Sequence, residues 1–422
     1  MSGVTKKAAA CVSAIVSPHG LPHNSAHSWL TPERVYLYAA AVLIIESVLT
    51  AAWWYGHWIL KAPQVPLLGW DLAVYWSASG LAQGHGAAAA YDWPLLQAAE
   101  APLLPGTFGP FAYPPTFLLM VYPLASVSFG LALLLSSIIG LVLYLWAMRA
   151  AVHGQYARWW MPALAFPGIW AALLAGQNTL ITASACAAAL LLMHRHAFAA
   201  GACVALLCIK PQLGVLFPLL FACERRWAVM TSAAACSAVF FAFSGMAFGI
   251  DIFPAFARSM TMFGRTVAEH GGPLLRGAPT IFAVLRTAGA EAGLSYAGHA
   301  LGAAIAAGTC TWLWLTHTRP ALGASALVVG TLLVQPYLMY YDLAWLAIPI
   351  ALLCSDFARH GSTLTERLLL CLVWIVPAHA LLVVIALPSP QVAPVVLFAL
   401  LGMIARRHHV ARPTSGTATA GA

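Results

Sequence analysis

Charged side chains in this chain stand singly or in pairs at the ends of long apolar runs, and that spacing limits the fold more than any motif does. Val35 to Leu60 and Phe129 to Met148 each reach the roughly 20 residues a predominantly apolar helix needs to cross a bilayer. Only 8% of residues are charged and 62% are hydrophobic, against about 25% charged in a soluble domain. So few charges cannot cover a water-facing surface, and the solvent for most of the chain is lipid. Inside lipid each segment must satisfy its own backbone hydrogen bonds, which selects helices or closed barrels. The apolar runs have helical length, so the expected fold is an all-α polytopic bundle.

The net charge of +8 reflects a shortage of acids more than any basic stripe. Lys and Arg at the ends of apolar runs follow the positive-inside pattern, and without basic runs interleaved with aromatics no nucleic-acid partner is expected. Nine cysteines fall in the N-terminal tail or in and beside apolar runs, with none in the long polar loops. That placement suits packing better than a disulfide framework. With neither a CxxC nor an HExxH motif, no metal site is expected.

Orientation follows from the basic residues. Lys6, Lys7 and Arg34 precede the first span, so residues 1–34 read as a cytoplasmic tail. Lys6 and Lys7 before the run Ala8 to Val16 mimic a signal peptide, but the run is short and Pro18, His19 and Gly20 follow it. Residues 61–128 and 249–296 then fall outside. The four arginines of the second loop, Arg258, Arg265, Arg276 and Arg286, run against the positive-inside rule, which weakens in longer loops. Residues 406–422 read as a disordered cytoplasmic tail, and 35–405 as one transmembrane domain of about 12 spans, several short or broken.

Two stretches break the simple pattern. Trp159 to Met193 carries Gly176-Gln177-Asn178 at its middle and arginines at Arg158 and Arg195. Phe198 to Cys223 carries Lys210-Pro211-Gln212 at its middle, with Arg195 before it and Arg225-Arg226 after. Each reads as a hairpin of two short helices with both ends inside, which puts Lys210 at membrane depth on the floor of an outward-facing cavity. Broken backbone at that depth is tolerated only where it lines water or is buried in protein.

Each candidate residue also has a structural reading. Asp71, in Gly69-Trp70-Asp71, sits where an N-cap would. Tyr113-Pro114-Pro115 forms a rigid elbow on its own account. Gln177 and Asn178 can satisfy helix ends, Lys210 can snorkel, and Asp342 after Tyr340-Tyr341 can cap a helix. Glu46 lies within the first span, where a carboxylate is costly, and serves either as a structural partner or on a proton path. Asp71, Tyr113, Gln177, Lys210 and Asp342 nevertheless fall on one face of this topology, which favours a site there.

The order of these features resembles the polyprenyl-phosphate-mannose-dependent glycosyltransferases of family 87, membrane enzymes of the GT-C fold. The matching features are an Asp-aromatic segment at Asp71, Tyr113-Pro114-Pro115, Gly176-Gln177-Asn178, and Lys210-Pro211 followed by Glu224-Arg225-Arg226-Trp227. The resemblance implies transfer of a hexose, with mannose as the implied sugar, from a polyprenyl-phosphate donor to a hydroxyl of a glycolipid or glycan. It places the reaction on the external face of an inner-membrane protein with both termini inside. It implies Asp71 as general base, Lys210 beside the leaving phosphate, and Gln177 and Asn178 on sugar hydroxyls. Arg265 or Arg286 would touch the phosphate, and Tyr75, Tyr113, Tyr341 and Asp342 would complete the substrate site. No Asp-x-Asp motif occurs, in keeping with a lipid-phosphate donor that needs neither metal nor cofactor. Several relatives carry a His in the turn from Gln335 to Asp342, where this chain has Gln-Pro-Tyr-Leu-Met-Tyr-Tyr-Asp. A secondary transporter or lipid-linked substrate flippase is the alternative for a bundle with broken helices.

Overall fold

The computed structural model describes residues 31–62, 64–152, 158–269 and 273–410. Cys11 and most of the two tails lie outside them. Among these residues every regular element is a helix, as the apolar spacing requires.

Five helical stretches are long and apolar enough to cross a membrane: Glu33–Trp58, Phe129–Ala151, Trp227–Phe248, Tyr340–His360 and Leu364–Ile385. Ala292–Leu315 matches them in length, at 24 residues, and five further apolar helical stretches are shorter. A helix of 14 residues such as Thr179–Leu192 reaches about 21 Å, against a hydrocarbon core of roughly 30 Å. Helices of crossing length therefore do not reach the expected count of about 12 among the described residues.

The chain opens with α1 (Pro32–Trp58), capped by Thr31, whose side chain accepts from the Arg34 N–H. Leu37, Ile44, Ile45, Val48 and Leu49 stay exposed along it, as lipid-facing residues do, because lipid tails are as apolar as leucine. Next, α2 (Trp70–His85), α3 (Trp93–Glu100) and α4 (Pro115–Val121) form a small unit within the expected first loop. It has its own core, in which Leu72, Tyr75, Leu96, Phe111 and Phe117 are buried together.

After α5 (Phe129–Ala151) and the short α6 (Trp160–Leu164), the expected Gly-Gln-Asn hairpin appears as α7 (Pro167–Ala175) and α8 (Thr179–Leu192). Gly176 ends α7 at φ +71°. The Gln177 N–H reaches Ala172 O at 2.8 Å and the Gly176 N–H reaches Leu173 O at 3.1 Å, closing the helix end. The position also demands glycine sterically, since a Cβ there would lie 2.7 Å from Leu72 Cβ and 3.0 Å from Gly69 Cα.

The second broken stretch is α9 (Ala197–Ala205), two 3₁₀ turns (Leu206–Ile209 and Pro211–Gly214), and α10 (Phe217–Cys223). Lys210 stands between the turns, because Pro211 has no N–H to continue a helix. α11 (Trp227–Phe248) packs along α9. Gly201 permits this approach, since a Cβ there would come within 2.6 Å of Ala233 N. The expected second loop contains α12 (Ile252–Phe263), α13 (Pro273–Arg276) and α14 (Ile281–Thr287).

The last third is α15 (Ala292–Leu315), α16 (Pro320–Val334), a 3₁₀ turn (Tyr340–Leu346) running into α17 (Ala347–His360), α18 (Leu364–Ile385) and α19 (Ala393–Val410). Trp314, Trp345, Phe166 and Phe217 are buried in the main core that these helices share with α5, α7, α8 and α10.

Four helix ends are tied together on one side of this core. Asp356 on α17 meets Arg319, which precedes α16, at 2.8 Å and Arg407 on α19 at 2.7 Å. Arg407 also meets Glu366 of α18 at 2.9 Å, and Arg406 meets Glu366 at 2.6 Å. The Asp356, Glu366 and Arg407 side chains are buried, so removing one partner strands the others. Asp356→Ala is expected to destabilise the protein by about 3–5 kcal/mol, read as a lower unfolding temperature in detergent, with Arg319→Gln costing less because Arg319 is more exposed.

Candidate active site

The Gly-Gln-Asn turn is pressed against the start of α2. The Gly69 N–H donates to Leu174 O at 2.8 Å, so the α7 end and the α2 start share a backbone hydrogen bond. Gly69, at φ +79°, takes the N-cap position of α2. Asp71 therefore falls in the first turn of the helix, where the helix dipole favours an anion. Its carboxylate does not cap its own helix but accepts at Oδ2 from Gln177 Nε2 at 2.9 Å.

The other face of Gln177 determines that orientation. Lys210 Nζ donates to Gln177 Oε1 at 3.3 Å and the Tyr113 hydroxyl donates to the same oxygen at 3.2 Å. An ammonium has only donors, so it must meet the amide oxygen, which leaves the amide nitrogen for Asp71. The Tyr75 hydroxyl lies 2.7 Å from that of Tyr113, and donates to it because the Tyr113 proton is committed to Gln177. Tyr75, Phe111 and Phe117 surround Tyr113 edge-on or tilted.

Lys210 is buried, at 3% exposure. It does not lie open on a cavity floor, as the sequence suggests, because Asp342 binds it from behind at 2.8 Å. Thr179, the first residue of α8, donates to the same Asp342 oxygen at 2.9 Å. The rings of Tyr341 and Tyr113 flank the ammonium at 4.9 and 5.7 Å. A continuous polar chain thus runs from Asp342 through Lys210 and Gln177 to Asp71. Its two ends differ in exposure: Asp342 and Lys210 are buried, whereas Asp71, Gln177 and Tyr113 remain partly exposed.

Burial pushes the Asp71 carboxyl up to about 6, against the Gln177 hydrogen bond and the Lys210 charge, which favour its ionised form, while Asp342 adds to the rise. Such a group is largely ionised near neutrality yet still basic enough to accept a proton. Glu100, buried in the α2–α4 unit, accepts from the Gly109 N–H at 2.9 Å and pins the stretch leading to Tyr113. Burial raises its carboxyl to about 7.

The remaining sequence candidates are more dispersed. Asn178 is buried beside Gln177, and its amide has no hydrogen-bond partner among the described residues. Arg286 donates to Ala290 O at 2.6 Å, closing the end of its own helix. Arg265 is exposed on the π-helical turn Gly264–Glu269. The part of the second loop that meets the site is the end of α13, where the Tyr340 N–H donates to Gly277 O at 2.8 Å. Arg276, which sequence reasoning passes over, directly precedes Gly277 in the chain, and its side chain is exposed. Thr179 is a second omission, although its position directly after Gly-Gln-Asn was a usable signal. Glu46 is partly buried, and one carboxylate oxygen has no partner among the described residues.

The model of glycosyltransferase family 87 matches residues 111–336, more than half of the chain. The match takes in Tyr113-Pro114-Pro115, Gly176-Gln177-Asn178 and Lys210-Pro211 and begins after Asp71. No curated protein and no solved structure matches the chain.

Against the burial that raises Asp71, the Gln177 hydrogen bond favours its ionised form. Replacing Gln177 by Leu removes a hydrogen bond to the ionised form. The Asp71 midpoint is then expected to rise from about 6 by about one pH unit. Infrared titration of the carboxyl stretch, assigned by its loss in Asp71→Asn, measures this directly.

Proposed function

The chain belongs to glycosyltransferase family 87, and from that premise we propose that it transfers a hexose, mannose by family resemblance, from a polyprenyl phosphate to a hydroxyl acceptor, with Asp71 as general base. The observation that carries this reading is the Asp71 carboxylate, partly exposed and held by the Gln177 amide at 2.9 Å. A single carboxylate with its inner oxygen fixed offers its other oxygen to an incoming hydroxyl.

The acceptor oxygen attacks the anomeric carbon as Asp71 takes its proton. The bond from that carbon to the phosphate oxygen breaks, and the electron pair leaves with the polyprenyl phosphate. A phosphate leaving group needs charge stabilisation more than protonation. In this reading the stabilising charge comes from second-loop arginines, Arg276 directly before Gly277 and Arg265 on its π-helical turn. Gln177 and Tyr113, the partly exposed polar groups next to Asp71, bind sugar hydroxyls, with Tyr75, Asn178 and Tyr341 shaping the wall behind them. The reaction faces the exterior of an inner membrane, with both termini cytoplasmic. No metal enters the proposed mechanism: Asp71 is neutralised as it takes the acceptor's proton, and the one added negative charge, on the departing phosphate, faces arginine.

The acceptor is a glycolipid or glycan presented at the same surface. The transporter and flippase alternative loses its ground to the family match, since the polar chain ends on a carboxylate suited to proton abstraction.

The test is sugar transfer by protein in nanodiscs, with radiolabelled polyprenyl-phosphate-mannose as donor and extracted envelope glycolipids as acceptors. Wild type is expected to transfer label equally with and without EDTA, and Asp71→Asn to lose about 10²–10⁴-fold in rate. Full activity of Asp71→Asn, or loss of wild-type transfer in EDTA, would contradict this mechanism.

A further inference from the structure

A buried lysine inside a site that handles a lipid phosphate invites the role of phosphate ligand, but the hydrogen bonds around Lys210 point elsewhere. Its Nζ is within 2.8 Å of Asp342 and 3.3 Å of Gln177. Tyrosine rings flank it at 4.9 and 5.7 Å. Its third N–H is covered by those rings and the group is buried at 3% exposure, so an incoming phosphate would bring a second anion beside the Asp342 carboxylate in a site that excludes water. The ion pair is also electrically neutral, so it adds no net positive charge for a phosphate to find. By contrast, Gln177 and Tyr113 are partly exposed; Gln177 bonds Asp71 directly, and Tyr113 reaches it through Gln177.

Resting on the transferase reading above, we infer that Lys210 and Asp342 are positioning residues that never touch the donor: their ion pair fixes the Gln177 amide in the orientation that presents its N–H to Asp71 and so sets the basicity of the catalytic carboxylate. Thr179 holds Asp342 from the helix behind, at 2.9 Å, which keeps the pair aligned with Gln177.

The ionisable groups facing Asp71 come from four directions. Tyr75 lies on its own helix, Tyr113 on the stretch before α4, Lys210 on the broken α9–α10 segment, and Tyr340, Tyr341 and Asp342 on the 3₁₀ turn before α17. Among them Lys210 is the cation and Asp342 the other carboxylate, so the two act on Asp71 with opposite signs. That opposition makes a purely structural role distinguishable from an electrostatic one.

The experiment is the pH dependence of kcat and of donor KM, with polyprenyl-phosphate-mannose as donor, for wild type, Lys210→Met and Asp342→Asn. Wild-type activity should rise with pH through a limb near 6. In Lys210→Met the limb should move up by about one pH unit, because the charge that favours ionised Asp71 is gone. In Asp342→Asn it should move down, because the charge that opposes ionisation is gone while the Asn Oδ1 still accepts from Lys210 and so keeps the Gln177 amide in place. Donor KM should change by less than about fivefold in both variants, the part that Gln177 contributes to holding the sugar, with the larger loss appearing in kcat. An unmoved limb with a donor KM raised about tenfold or more in Lys210→Met would make Lys210 a phosphate ligand and overturn the inference. An unmoved limb with unchanged KM would reduce the pair to scaffolding and overturn it as well. If Lys210→Met does not fold, the downward limb of Asp342→Asn decides alone. If wild type transfers no sugar, the transferase reading fails separately, and infrared titration of Asp71 in the same variants still reads the two opposed shifts.

Discussion

The interaction on which the site depends is the buried ion pair between Lys210 and Asp342. Neither charge is tolerable alone at that depth, and together they are held only because Thr179, Gln177 and two tyrosine rings complete their surroundings. Four distant parts of the chain must meet for this to happen: the stretch before α4, the α7–α8 turn, the break between α9 and α10, and the turn before α17. The pair therefore couples the packing of the bundle to the chemistry at its surface. An apolar pair of similar volume can pack as well, but it would leave the Gln177 amide free to turn over.

Close backbone approach makes this meeting possible. Gly176 and Gly69 let the hairpin turn and the α2 start touch, with a shared hydrogen bond from Gly69 N to Leu174 O at 2.8 Å. In lipid, helices gain little from burying apolar area against one another, and small residues at the contact carry more of the association. Gly201 against Ala233 applies the same device between α9 and α11. On another side of the core, Arg319, Asp356, Glu366, Arg406 and Arg407 hold four helix ends in register.

Much of this was legible in the sequence, though unevenly. The scarcity of charge and the length of the apolar runs pointed to an all-helical bundle in lipid, and Pro211 together with the Gly-Gln-Asn turn located both broken segments. Asp71, Gln177, Tyr113, Lys210 and Asp342 were expected to converge, and the structure brings all five into one hydrogen-bonded chain. The span count was less legible, because hydropathy cannot tell a crossing helix from a short apolar one packed inside the bundle. The depth of Lys210 was also hidden: sequence order shows that a lysine lies beside a proline, not that an aspartate 132 positions later claims its charge. The second loop was least legible. Its arginines are alike in sequence, and only the pairing of Tyr340 with Gly277 singles out Arg276 over Arg286.

The most direct test of the central claim is a cryo-electron microscopy structure of the protein in nanodiscs with a non-transferable polyprenyl-phosphate-sugar analogue and an acceptor bound. The account predicts the acceptor hydroxyl roughly 3 Å from the Asp71 carboxylate, the phosphate against second-loop arginine, and Lys210 still bonded to Asp342. A phosphate seated on Lys210, with Asp342 released, or a sugar bound away from Asp71, would contradict it.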